Sequence, residues 1–178
     1  NLTLAGTTPT ITVNALGTTK SVTISAVVAG TQGLTKAGVG TLTLTGANTY
    51  TGMTNVNDGT LMLQGAAFST TARDYTIATG AVLNLDGNTG VAEGTTTIDG
   101  SGTLRITGGV FANEDPNSPK GDNRDITMAM DSGAVIDVQS GATMYNGGWQ
   151  AITWTNNLAD LNADGGFNVE GALGKDAP

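Results

Sequence analysis

The chain has 178 residues, a length that fits one domain, and 7 Lys and Arg against 15 Asp and Glu give it a formal net charge of −8. Such an acidic chain is expected to repel nucleic acid and anionic membrane surfaces. It has no cysteine and no histidine, which excludes disulfides, thiolate metal sites, the Ser-His triad and the commonest general base. No stretch approaches the ~18 consecutive apolar residues of a membrane-spanning helix.

The composition and the first third of the chain predict an all-β fold. Glycine accounts for 27 residues and charged residues for only 12%, about half of the usual share of ~25%. Short alternating segments lie at Leu2–Leu4, Ile11–Val13 and Val22–Ile24, separated by Gly, Pro and Asn. Alternation with period two indicates strands with one buried face and one face in water.

One phrase, Gly-Thr-Leu-x-Leu, organises the middle of the chain. It occurs at Gly40–Leu44 and returns at Gly59–Leu63, and related segments follow at 80–85, 102–106 and 133–138. A strand that returns after about twenty residues is typical of a β-solenoid, in which each coil stacks on its neighbour. Only the last interval is clearly longer than this. Weaker patterns predict a second strand in each coil, at 55–57, 75–77, 97–98 and 126–128.

The residue between the two apolar positions of each recurring strand is predicted to point outward. These residues are Thr43, Met62, Asn84, Arg105 and Asp137. The chain has 31 threonines, but this mixed row argues against the flat threonine array that an ice-binding solenoid requires.

The long last interval, from Leu104 to Ile136, predicts an insertion at about 109–125 that projects from the solenoid as a loop. The segment Phe111–Asp125 holds two prolines, four acids and two cations. A solubilising loop is one interpretation. The alternatives are a calcium site built from its oxygen ligands and cell adhesion through Lys120-Gly121-Asp122, an integrin-type tripeptide. The candidate ligand-binding residues of the loop are Asp115, Lys120, Asp122, Arg124 and Asp125.

Three aromatic residues after the insertion form a second candidate binding region. Tyr145, Trp149 and Trp154 fall close together, and they could stack on sugar rings or pack inside the solenoid. The solenoid is expected to span residues 1–170, with 171–178 as a linker or chain end.

The acidic residues do not form an evident catalytic set. Most stand singly at turns, where Asp is favoured by the backbone, whereas glycoside hydrolysis needs two carboxyl groups close together. We therefore expect no enzyme activity, no catalytic residue and no resident cofactor, with calcium left open.

Between Gly33 and Leu63 the sequence resembles the autotransporter passenger-associated strand repeat. The matching features are Leu34, Lys36, the core 38–44, the segment 46–52, Thr54, Val56 and 59–61, whereas Met53 stands where a small residue is usual. The resemblance implies a right-handed parallel β-helix, which we expect to have about eight coils. It also implies a secreted or surface-displayed bacterial protein with an outer-membrane-anchored parent.

The function predicted from these features is structural. We expect a stalk or display segment that serves adhesion, with a host or cell-surface glycan or protein as partner, and self-association through the open solenoid ends. The alternative is a glycan-binding or polysaccharide-degrading β-helix.

Overall fold

The computed structural model describes residues 1–14, 20–65, 73–87, 96–112, 126–146, 153–154, 160–163 and 166–169. Within these residues the regular structure consists of β-strands that stack in parallel as a β-solenoid, which confirms the all-β prediction.

Two long sheets run along the solenoid. The first consists of β2 (Thr10–Thr12), β5 (Leu34–Ala37), β7 (Thr54–Val56), β9 (Tyr75–Ile77), β11 (Thr96–Gly100), β14 (Ile126–Met130) and β17 (Thr153–Trp154). The second consists of β3 (Ser21–Ile24), β6 (Thr41–Leu44), β8 (Thr60–Gln64), β10 (Val82–Asp86), β12 (Thr103–Ile106), β15 (Val135–Val138) and β18 (Asp160–Ala163). Each sheet thus has seven strands in the described part of the chain, where about eight coils were predicted.

A third face completes the cross-section at both ends of the described solenoid. At one end β1 (Leu2–Thr3) pairs with β4 (Val28–Ala29). At the other end β16 (Ala142–Asn146) lies between β13 (Gly109–Ala112) and β19 (Gly166–Val169).

The recurring phrase lies in one register along the second sheet. Leu42 pairs with Leu61, Leu61 with Leu83, Leu83 with Leu104, and Leu104 with Ile136. Each interval of the phrase, including the long last one, therefore corresponds to one coil, as the sequence predicts.

The interior ladder of the second sheet is closed to solvent from β6 to β15 but open at its first strand. All five of its members from Leu42 to Ile136 have no exposed surface, and burial of each such side chain contributes about 1.5–3 kcal/mol. Val22 has the same register on β3 but is 45% exposed. Because β3 is the last strand at that edge of the sheet, no described strand covers its outer side.

Coils differ in length because one of the two connections between the long sheets varies in length. The corner that joins the first sheet to the second is short in five successive coils, at 38–40, 57–59, 78–81, 101–102 and 131–134. The return arc from the second sheet to the first varies from 45–53 to 107–125. The long interval between Leu104 and Ile136 therefore comes from a long arc, and both sheets keep their register across it.

Part of the predicted insertion belongs to the solenoid. Residues 109–112 form β13, which pairs with β16, and Phe111 is buried in the core. The placement of these four residues in a projecting loop is therefore wrong, because they supply the third face of their coil. Residues 113–125 lie outside the described residues.

Glycine in the recurring phrase is required by close contact between coils. Gly59 has a φ of +63°, and a Cβ atom there would lie 2.4 Å from the Gly40 carbonyl oxygen and 2.6 Å from that of Gly38. A side chain would thus meet both a left-handed backbone and the corner of the preceding coil.

We predict that Leu61→Ala lowers the free energy of unfolding by about 2–5 kcal/mol, since it opens a cavity between Leu42 and Leu83. Thr43→Ala on the outward face is the control and should change it by about 0.5 kcal/mol or less. Urea unfolding followed by circular dichroism measures both, and similar losses in the two variants would contradict the inward and outward assignment.

We predict that Gly59→Ala destabilises the chain more than Gly80→Ala. Both glycines have positive φ, but a Cβ atom at Gly80 would meet nothing within 4 Å. The left-handed strain of about 1–2 kcal/mol should appear in both variants, and a further overpacking cost of about 1–3 kcal/mol only at Gly59. Equal urea midpoints for the two variants would show that the close contact has no energetic effect.

Candidate functional site

Buried polar side chains distinguish the region that resembles the passenger repeat and the segment that leads into β9. Lys36 lies on β5 in phase with Leu34, on the inward face, and its side chain is fully buried. Its Nζ donates hydrogen bonds to the carbonyl oxygens of Ala37 at 3.1 Å, Gly38 at 2.6 Å and Asp58 at 2.9 Å. Because Asp58 belongs to the next coil, this ammonium group joins two successive corners.

Burial has an electrostatic consequence for this amine. Desolvation lowers the pKa of Lys36 below its usual 10.5, and the negative charge of Asp58 partly opposes this by raising it.

A second buried group adds side-chain hydrogen bonds to the third face, where the backbone N–H groups of Thr49 and Thr51 also donate to the carbonyl oxygens of Val28 and Gly30 in the preceding coil. The Oδ1 atom of Asn48 accepts a hydrogen bond from the backbone N–H of Val28 at 2.9 Å. The carbonyl oxygen of Asn48 accepts one from Nη2 of Arg73 at 2.7 Å. Side chains thus connect the coils where the third face has no assigned strand between β4 and β13 in the described residues.

Aromatic residues surround the guanidinium of Arg73. This side chain is only 3% exposed, and its Cζ lies 4.0 Å from the centre of the Tyr50 ring, a cation–π contact. The Tyr50 hydroxyl shares a hydrogen bond of 2.7 Å with the hydroxyl of Thr54. Burial raises the pKa of Tyr75 well above its usual range and Tyr50 adds to the rise, while Arg73 opposes it through its charge and a hydrogen bond.

The row predicted to point outward lies in register along the second sheet, as expected. Thr43, Met62, Asn84, Arg105 and Asp137 pair in that order. Asn84 and Asp137 are nevertheless only 5% and 7% exposed, so facing outward does not leave them open to solvent.

Hydrogen bonds hold these two side chains on the sheet surface. The hydroxyl of Thr107 donates to Oδ1 of Asn84 at 2.5 Å. Nε of Arg105 donates to Oδ2 of Asp137 at 2.7 Å, an ion pair in which the arginine side chain is 39% exposed, and Gln139 donates to the other carboxylate oxygen.

The candidate binding residues taken from the sequence are only partly placed. Tyr145 lies on β16 opposite Ala112 and Asn168, and Trp154 lies on β17 opposite Met128. The remaining candidates, Asp115, Lys120, Asp122, Arg124, Asp125 and Trp149, lie outside the described residues.

The described polar groups are arranged for structural contacts. Lys36, Asn48 and Arg73 all bind backbone carbonyl or N–H groups of adjacent coils. Within the described ranges, no three Asp or Glu side chains come together in a way that could hold a metal ion. Those ranges also hold no helix long and apolar enough to cross a membrane.

The fold defines the chain as a parallel β-solenoid with a buried polar set inside its leucine core, and part of this polar set lies in a segment that matches a known repeat. Residues 34–63 match the passenger-associated-transport-repeat. This range contains Lys36, Asn48, Tyr50 and Thr54 and confirms the resemblance seen between Gly33 and Leu63.

The chain is also similar to a curated relative, the adhesin BmaC autotransporter of Brucella suis biovar 1 (strain 1330). The two are 40% identical over an alignment of 136 positions, which covers 67% of this chain and 4% of the adhesin. No solved structure matches the chain. These two matches confirm the predicted similarity to autotransporter passengers.

We predict strong coupling between Tyr50 and Thr54. Tyr50→Phe or Thr54→Val alone leaves one buried hydroxyl without its partner and should cost about 1–3 kcal/mol. The double variant removes both groups and should cost less than the sum, with a coupling energy of about 0.5–1.5 kcal/mol. Additive losses in urea unfolding would show that the two hydroxyls do not stabilise each other.

We predict that Lys36 makes stability rise with pH in the alkaline range. Its pKa is lower in the folded chain than in the unfolded chain, so between the two values the unfolded chain binds more protons and the free energy of unfolding increases. The urea midpoint of the unsubstituted chain should therefore gain on that of Lys36→Met as the pH rises toward the usual lysine pKa of 10.5. Parallel pH profiles for the two chains would contradict the burial of a charged amine.

Proposed function

We propose that this chain is a stalk or display segment of a bacterial autotransporter passenger and acts by its geometry. The observation that carries the proposal is the parallel ladder of seven strands, which keeps one register even across the long interval from Leu104 to Ile136. With strands about 4.8 Å apart, seven coils give a rod of about 30 Å. Such a rod can carry arcs of different length while its two long sheets remain unchanged.

The proposed role is non-catalytic and cofactor-free. The chain has no histidine and no cysteine, and the buried Lys36 and Arg73 are engaged in contacts between coils. We further propose that the longer parent protein is anchored in the outer membrane. Its partner would be a glycan or protein of the host or of another cell.

Self-association through the solenoid end is part of this proposal. Leu2 is 38% exposed and Val22 45% exposed at the end where β1, β2 and β3 each lack a described neighbour on one side. Strand edges with exposed apolar residues favour pairing with another chain.

The long arc is where a partner would be sought. We predict that the intact chain, a variant lacking residues 113–124 and a variant with this segment scrambled all keep the same β-type circular dichroism. The deletion begins after β13, so it removes no described strand.

A pure stalk should show no saturable binding on a glycan array or a panel of extracellular-matrix proteins, and no cleavage of polysaccharides, with or without calcium. Binding that both altered chains lose would overturn the pure-stalk proposal and assign recognition to 113–124. Binding or cleavage that survives both changes would overturn it in favour of a site on the solenoid itself.

A further inference from the structure

The apolar ladder fixes which face of each strand is buried but does not fix which residues pair. Both β6 and β8 have leucine at their two inward positions, Leu42 and Leu44 on one strand and Leu61 and Leu63 on the other. A slip of two residues would keep leucine against leucine at one position and leave the same face inward. Some other contact must distinguish the observed register from the slipped ones.

Lys36 makes a contact that depends on this register. Its Nζ binds the Gly38 carbonyl, two residues before Gly40, and the Asp58 carbonyl, immediately before Gly59. The two carbonyls belong to equivalent corners of adjacent coils, and each corner leads directly into its Gly-Thr-Leu-x-Leu strand. A slip of two residues moves Asp58 by about 6.6 Å along the strand, which is beyond the reach of an amine still bound to Gly38.

We propose that Lys36 is a register-setting residue that selects the pairing of β6 with β8 against pairings shifted by two residues. A buried polar group that is satisfied in one arrangement only raises the free energy of the alternatives, as a single buried asparagine does in a coiled coil.

The electrostatics of the site agree with this role. Desolvation of the buried amine lowers its pKa, so holding the charge inside the coil opposes folding and offsets part of what its three hydrogen bonds contribute. Lys36 is therefore expected to affect the choice of register more than the stability of the fold.

Introduced cysteine pairs can report the register, because the chain has no cysteine of its own. Thr43 lies opposite Met62, with Cα atoms about 4.8 Å apart, within the span of a disulfide. Thr60 and Gln64 become the partners of Thr43 after a slip of two residues in either direction, and in the native register each lies about 8 Å from it. The three pairs are Thr43→Cys with Met62→Cys, with Thr60→Cys and with Gln64→Cys.

Each cysteine pair is introduced into four backgrounds: the chain with Lys36 unchanged, Lys36→Met, Lys36→Arg and Lys20→Met. The last is the control for loss of an exposed lysine, and all chains are refolded and then oxidised. With Lys36 in place, we expect the pair at Thr43 and Met62 to be the main disulfide. Lys36→Met should raise the yield of the two disulfides that report slipped registers about tenfold. The substitution removes hydrogen bonds of a charged group from the native register and none from the slipped ones. The Tm of Lys36→Met should differ from that of the unsubstituted chain by no more than about 5 °C. Lys36→Arg and Lys20→Met should keep the native pattern.

Two results would overturn the proposal. One is an unchanged disulfide pattern both in Lys36→Met and in Lys36→Met combined with Asn48→Ala, which removes a further side-chain hydrogen bond between coils. The other is loss of the fold in both Lys36→Met and Lys36→Gln, which would make Lys36 a residue required for stability.

Discussion

Hydrogen bonding between the backbones of successive coils is the constraint on which this structure depends. A coil cannot satisfy its own backbone groups, because its strands face different sides and pair only with their counterparts above and below. Every feature of the repeat can be related to keeping neighbouring coils at strand distance. Glycine at position 59 allows the corners to touch, and the leucines fill the space enclosed by the sheets.

The third face shows how this constraint is met in two ways. At both ends of the described solenoid it is a regular sheet, from β1 and β4 or from β13, β16 and β19. Between them, hydrogen bonds of Asn48 and Arg73 add to the backbone hydrogen bonds that connect the arcs of successive coils. Burying a guanidinium has a desolvation cost, and the Tyr50 ring offsets part of it through the cation–π contact. The repeat therefore combines a polar interior with a leucine core.

The sequence predicts the strands of the second sheet well. The alternation within the recurring phrase indicates which face of each strand is buried, and the interval between its copies indicates which coil each strand belongs to. The sequence predicts the third face poorly. The charged, proline-containing run after Phe111 predicts a loop that includes this residue, yet its coil needs β13 at that position. No sequence pattern points to the roles of Asn48 and Arg73, because these roles depend on contacts with residues of other coils. Lys36 did carry a signal, because it shares the phase of Leu34 on a strand with one buried face.

The separation between short corners and variable return arcs has an evolutionary consequence. Because corners such as 38–40 and 57–59 fix how two sheets meet, while the arcs from 45–53 to 107–125 differ in length, coils of different length stack in one register. A change in the length of one arc between genes would leave the strands of both flanking coils paired as before. A protein built in this way can lengthen, and can change the segments that it presents, without redesign of the rest of the chain.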